Sequence, residues 1–269
     1  LMSGVCYAEL GAMMPKAGGY YVYLREAYGE RVAFMCGFAN FCLSSSGSIA
    51  ALAVAFAAAI SSFVPLGELT QKAIAITAIL LLTGVNLCGI RFGSLVQNIF
   101  MILKMLPILL ILVCGLVMGN ESPDLTYFPG EMPSIPELCS MVGFAVIATL
   151  WAYEGWTNLN NIAEEIKNPK RNIPLALIGS ITGVALLYDT IVNLVNGGDY
   201  YLGTHAANEL FGSAGMIIVG TAMILAIFNS LNGCIMVFPR MYYAMARDGA
   251  LFKSFAKLHP VSRTPKIGR

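Results

Sequence analysis

An all-α integral membrane protein is the fold class this sequence predicts, and three observations carry the prediction. Hydrophobic residues make up 57% of the 269 and charged residues only 12%, against about 25% charged in an ordinary soluble domain. Uninterrupted apolar runs are long enough to cross about 30 Å of hydrocarbon as helices. The third observation is the distribution of cations. Of the 16 Lys and Arg, all except Lys72 and Lys104 fall on one side when successive loops are assigned to opposite faces of a membrane. Such an excess marks the cytoplasmic side.

Taken in order, the chain opens on an apolar run, 1 to 14, too short to span, and it reads as part of a helix rather than a signal peptide. Spans are expected over 32–63, 73–90 and 95–118, then over 139–166 with a break near 152–156, then over 173–195 and 211–238. The basic stretches 15–31, 91–94, 164–172 and 239–269 become the cytoplasmic loops. Arg240 to Lys257 interleaves cations with Met241, Tyr242, Tyr243, Leu251, Phe252 and Phe255, the composition of an amphipathic helix lying at the interface. The whole chain forms a single transmembrane domain. Its net charge of +1 and dispersed cations argue against nucleic acid as a partner. The seven cysteines form no CxxC pair and are expected as buried thiols. His205 and His259 stand far apart in loops, so no metal site is expected, and no cofactor is called for. No nucleophile with a positioned base is visible, which argues against an enzyme.

The most informative segment is WAYEGW, 151 to 156. A continuous helix from Cys139 to Ile166 would be about 42 Å long, more than a straight span needs. Its apolar part ends at Trp151, and Glu154, Asn158, Asn161 and Glu165 follow at i, i+4, i+7 and i+11 on one α-helical face. A carboxylate and asparagines cannot face lipid, so they must border protein or water. Gly155 weakens the helix by about 1 kcal/mol, and freed backbone groups at membrane depth are tolerated only where they line a cavity. A broken midspan helix presents such groups to a substrate. The local pattern also allows Gly155 to serve close helix packing and Glu154 to pair with a cation elsewhere.

The residues from 151, WAYEGWTNLNNIAEEIKNPKRNIPLALIGS, resemble the sixth helix and following loop of the amino acid-polyamine-organocation (APC) transporters, L-type amino acid transporter branch. YAELGAMMPKAGGYYVYLREAYG from 7, VQNIFMILKMLPILLILVCGL from 96 and FNSLNGCIMVFPRMYYAMARDGALF from 228 resemble that family's second, fifth and eighth helices, in the expected order. The resemblance implies a LeuT-like inverted-repeat fold, truncated to run from midway in helix two to just past helix eight. It implies secondary transport of amino acids across the cell membrane by alternating access, with exchange favoured. A proton-coupled carrier of cationic amino acids or polyamines is the alternative, and a non-transporting truncated scaffold is another. By the same resemblance the substrate contacts are Trp151, as an aromatic gate, and the backbone of Ala152, Tyr153, Glu154 and Gly155. Lys104 takes the place of a coupling ion, and Asn229 and Ser230 belong to the coupling region.

The sequence also departs from the family. Tyr20 stands where a Glu usually follows the Gly-Gly pair, and Asp189 where an aliphatic residue is usual. The loop from Phe63 to Thr70 has no cysteine, so no disulfide-linked heavy chain is expected; the partners are an amino acid and the bilayer. Ser44, Ser45, Ser46 and Ser48 read as small residues for close helix packing.

Overall fold

A computed structural model describes residues 2–118, 134–152, 155–194 and 211–257, and among these every regular element is helical. The elements are α1 (Met2–Met13), α2 (Tyr20–Tyr28), α3 (Glu30–Ala39), a π-helical turn Asn40–Ser45, α4 (Ser46–Ser61), α5 (Glu68–Leu87) and α6 (Ile90–Met118). Then follow α7 (Ile135–Ala152), a 3-10 helix Trp156–Glu165, α8 (Pro169–Leu194), α9 (Ser213–Arg247) and a short 3-10 turn Lys253–Ala256. Among the described residues four stretches are long and apolar enough to cross a membrane: Glu30–Ser61, Glu68–Leu87, Phe92–Leu110 and Ala214–Arg247. Their outer faces carry Leu80, Ile102 and Val54, each more than 60% exposed. That is the composition of a surface meant for lipid or further helices.

Several boundaries differ from the sequence expectation for identifiable reasons. Arg91 to Ser94 are the first turn of α6 and not a loop, because Gly89, at φ +124°, turns the chain directly from α5 into α6. Pro169 starts α8 inside the expected 164–172 loop, as proline at a first helical position does. Arg240 to Arg247 continue α9 and do not form a separate interfacial helix. Pro239 removes the bond to the Ile235 carbonyl, yet α9 persists because this end packs into a core with α2 and α3. Tyr21, Ala33, Met241, Tyr242, Ala244 and Met245 form that core. The cysteines are also corrected: Cys6, Cys36, Cys42, Cys88 and Cys139 are exposed, and Cys114 and Cys234 are only partly covered. They sit on apolar outer faces.

Small residues set the closest helix contacts. Gly4, Ala8 and Gly11 form the buried edge of α1. An added Cβ would meet Ile181 at 2.4 Å from Gly4 and Ile173 at 2.9 Å from Gly11, which fixes α1 antiparallel to α8. The serine stretch behaves differently. Gly47 has nothing within 4 Å of an added Cβ, so no neighbour approaches there. Ser45 Oγ instead donates to Asn40 Oδ1 at 2.5 Å, and Ser46 Oγ to the Phe41 carbonyl at 2.9 Å. These bonds reach back five residues, the spacing of the π-helical turn they occupy.

The other core joins α4, α5, α6 and α9 through Ala53, Ala57, Ala75, Ala78, Leu82, Leu231 and Ile235. Beside it lies a buried amide network. Asn86 Nδ2 donates to Asn232 Oδ1 at 2.8 Å, and Asn232 Nδ2 donates to Gln97 Oε1 at 2.8 Å and to the Gly93 carbonyl at 3.2 Å. One side chain of α9 thus ties together both arms of the α5–α6 hairpin beside its turn. Interhelical hydrogen bonds in membrane bundles are worth about 0.6–1.7 kcal/mol. Asn232→Ala should therefore destabilise the detergent-solubilised protein by about 1–2 kcal/mol, read as a lower unfolding temperature, while the exposed Ser230→Ala should leave it unchanged. Equal effects of the two substitutions would contradict a specific role for the network.

Candidate functional site

The backbone stops being α-helical at the WAYEGW stretch. Helix α7 is described as far as Ala152, Gly155 is left-handed at φ +108°, ψ −24°, and ten residues of 3-10 helix begin at Trp156. Runs of 3-10 helix longer than three or four residues are uncommon and mark strain or function. The first internal bond, Asn158 N–H to the Gly155 carbonyl at 3.1 Å, leaves the preceding N–H groups of this helix without partners inside it. Nothing lies within 4 Å of a Cβ added at Gly155, so glycine is required there by the backbone angle, not by crowding. An L residue at this φ would be strained.

The 3-10 winding rearranges the polar face that α-helical spacing predicts. At three residues per turn Asn158, Asn161 and Glu164 share a column, and Asn161 Nδ2 donates to Asn158 Oδ1 at 3.3 Å. Ile162, at φ −106°, ψ 18°, interrupts the winding. Asn160, Glu164 and the cations that meet the glutamates were missed by the α-helical spacing. The Asn-Asn doublet and an arginine directly after Pro239 are the signals that could have found them.

On one side the asparagines fasten this helix. Asn160 is fully buried and its Nδ2 donates to the Tyr7 carbonyl of α1 at 3.0 Å. An added Cβ on Gly11 would meet Asn160 Oδ1 at 2.9 Å, and one on Gly19 would meet Asn161 Oδ1 at 2.2 Å. Gly18 N–H donates to the Asn161 carbonyl at 3.2 Å. Gly11 and Gly19 thus leave room for the asparagine pair, while Gly18 makes room for Ala244 of α9. Tyr7 meets Trp156 edge-on at 5.3 Å and Tyr23 edge-on at 6.1 Å. Burial pushes the Tyr23 hydroxyl up to about 12.

On the other side the glutamates meet α9. Arg240, 2% exposed, donates through Nε to Glu165 Oε1 at 3.2 Å and through Nη1 to the Met236 carbonyl. Two turns further along the same helix face, Arg247 Nη1 donates to Glu164 Oε1 at 3.1 Å, with both side chains more than a third exposed.

The remaining expected site residues are placed as follows. Tyr153 and Glu154 lie outside the described residues, and the side chains of Trp151, Ala152 and Asp189 are likewise outside them. Lys104 is half-buried on α6, one turn before Pro107, which removes the hydrogen bond to the Leu103 carbonyl. Asn229 is 2% exposed on α9, and its Oδ1 has no hydrogen-bond partner among the described residues. Ser230 is exposed, so these two neighbours do not share a face. Asn232, not Ser230, carries the contact from α9 to α6.

An apolar helical bundle with a helix broken by a left-handed glycine, its second half held by polar side chains, is the construction of a membrane transporter. The model of the amino acid permease family matches residues 1–267. This chain belongs to that family, within the APC superfamily and on its L-type-like side. It is 34% identical to the serine/threonine exchanger SteT of Bacillus subtilis over 99% of the chain and 62% of that protein. It is 31% identical to the human b(0,+)-type amino acid transporter 1 over 99% of the chain and 57% of that protein. Its identity to the human large neutral amino acids transporter small subunit 2 is 28%, over 98% of the chain and 52% of that protein. The chain thus spans little more than half the length of these relatives, which are named as transporters and exchangers, not enzymes.

The adjacent glutamates give a sharp comparison. Removing Glu165 strands a buried guanidinium, for which a fully buried pair costs about 3–5 kcal/mol. Because the Glu165 side chain is 34% exposed, Glu165→Ala should cost less, about 2–3 kcal/mol. Glu164→Ala, breaking an exposed pair, should cost under about 1 kcal/mol. Chemical or thermal unfolding in detergent checks both, and a larger loss for Glu164→Ala would contradict the placement of Arg240.

Proposed function

We propose that the full-length protein is a secondary transporter that moves an amino acid across the cell membrane by alternating access, with exchange as its mode. The observation that carries this reading is the left-handed Gly155 after α7, with a 3-10 helix beyond it. Unpaired backbone N–H and C=O groups at such a break complement the carboxylate and ammonium groups of an amino acid. The names of the relatives support the same substrate class, and SteT supports exchange. In this reading the backbone from Trp151 through Ala152, Tyr153 and Glu154 to Gly155 holds the substrate's polar groups, and Trp151 closes over it. The LeuT-like inverted repeat supplies the framework, with 15–31 and the end of α9 on the cytoplasmic side. The absence of cysteine from Phe63 to Thr70 supports function without a disulfide-linked heavy chain.

Lys104 is the proposed coupling residue. A cation within a span is costly, about 2.5–3.5 kcal/mol on insertion scales, and the free Leu103 carbonyl beside Pro107 gives its surroundings polar character. Asn229, buried on α9, belongs to the same coupling region. Ser230 is left out because of its exposure.

Uptake of a labelled neutral amino acid into liposomes containing the full-length protein, competed by unlabelled amino acids and polyamines, tests the reading. Small neutral amino acids should compete and drive counterflow. Competition by polyamines or cationic amino acids alone would assign the substrate differently, and no uptake of any amino acid would refute the proposal. In the same assay, at matched expression, Trp151→Ala should lower uptake at least tenfold with little loss of folded protein. Lys104→Met should abolish or strongly reduce uptake between pH 5 and 8; wild-type rates at every pH would remove Lys104 from the mechanism.

A further inference from the structure

The apolar packing falls into groups, joined at α2 by the Tyr7–Tyr23 ring contact and at α9 by ion pairs. Ala8, Ala163, Ile173 and Leu177 form a core of α1, the 3-10 helix and α8, edged by Tyr7, Trp156, Leu159 and Ile166. Helix α9 contributes to two other cores, one with α4, α5 and α6 and one with α2 and α3. Neither of these contains a residue of α1, the 3-10 helix or α8. Where the 3-10 helix meets α9, the described polar side chains join through Glu165–Arg240 and Glu164–Arg247. Interdigitated apolar cores resist sliding because their packing is crystal-like. A contact made by charges separates more readily, because water can replace each partner.

We infer that the Glu164–Arg247 pair is a releasable latch across this seam, and that Glu165–Arg240, whose guanidinium is buried, is its inner stage. Arg247 and Glu164 are already more than a third exposed, so parting them requires little new hydration. Arg247 also borders a cavity of about 480 Å³ whose wall includes Lys16, Arg25 and Asp248, which brings solvent to the latch. The latch is anchored on the α9 side by the next residue. Asp248 accepts from Arg25 Nη1 of α2 at 2.6 Å, and Arg25 Nη2 also reaches Glu30 at 3.1 Å. Arg240 keeps the Met236 carbonyl of its own helix as a partner, so its guanidinium retains one bond when Glu165 withdraws and water takes the vacated position. Separation therefore begins at Arg247 and ends at Arg240. The pair orders the opening of the seam; it touches no substrate.

This inference rests on the transport reading, and two measurements keep the two separable. In the full-length protein free of other reactive cysteines, Glu164→Cys and Arg247→Cys are joined by a reducible bifunctional thiol reagent. Each preparation is compared with itself before and after linking. Linking should lower amino acid exchange at least tenfold, and reduction should restore it; exchange that continues within twofold at complete linking overturns the latch. The second measurement needs no transport. Spin labels replace Leu175 on α8 and Val54 on α4, both exposed on apolar outer faces. Their distance distribution should hold two populations, and Arg247→Ala should enrich the separated one severalfold. Glu164→Gln breaks the same pair and should do the same. A single population unmoved by either substitution overturns the inference, whatever the uptake assay shows.

Discussion

A backbone that leaves the α-helix inside a membrane protein must find protein or water for the groups it frees, and the arrangement around Gly155 follows from that constraint. At φ +108° this residue ends the geometry that α7 maintains to Ala152 and starts the 3-10 helix from Trp156. The new helix is polar where α7 is apolar, and it cannot be held by hydrophobic packing alone. It is held by polar groups that reach out of it. The Asn160 side chain reaches α1, the Asn161 main-chain carbonyl takes the Gly18 N–H, and Glu164 and Glu165 reach α9.

These fastenings also account for details elsewhere. Gly11 and Gly19 have no room for a side chain because the asparagine amides occupy that space. Helix α9 runs past Pro239 to Arg247, far enough to bring both arginines alongside the glutamates. The amide network of Asn86, Asn232 and Gln97 performs the corresponding task on another side of α9, tying the α5–α6 hairpin to it. In each case one polar side chain fixes the register of apolar helices whose packing alone would tolerate several.

The apolar helices were legible in the sequence because a bilayer demands long apolar runs. The left-handed turn at Gly155 follows closely on the end of the apolar run at Trp151, and the glycine and the change of polarity are two signals that combine. The polar pattern beyond was read with the wrong period. Spacing of i, i+4, i+7 selects Glu165 as the partner of Asn158 and Asn161, whereas a three-residue turn selects Glu164. Asn160, fully buried, was invisible to that spacing altogether. The distinction between Asn229, buried, and Ser230, exposed, depends on how α9 is rotated against α6, and rotation is set by partners distant in sequence. The cysteines were misplaced for a related reason: an apolar helix facing lipid and one facing a protein core have the same composition.

Hydrogen–deuterium exchange across the break of the full-length protein, in nanodiscs and resolved to single amides, tests the account most directly. The N–H groups of Gly155, Trp156 and Thr157 precede the first internal bond of the 3-10 helix and should exchange at least tenfold faster than those of the buried Asn160, Asn161 and Ala163. Arg240→Ala should speed exchange within Asn160 to Ala163 while leaving the amides of α5 unchanged. Uniform slow exchange from Ala152 through Glu165, the pattern of an unbroken helix, would contradict it.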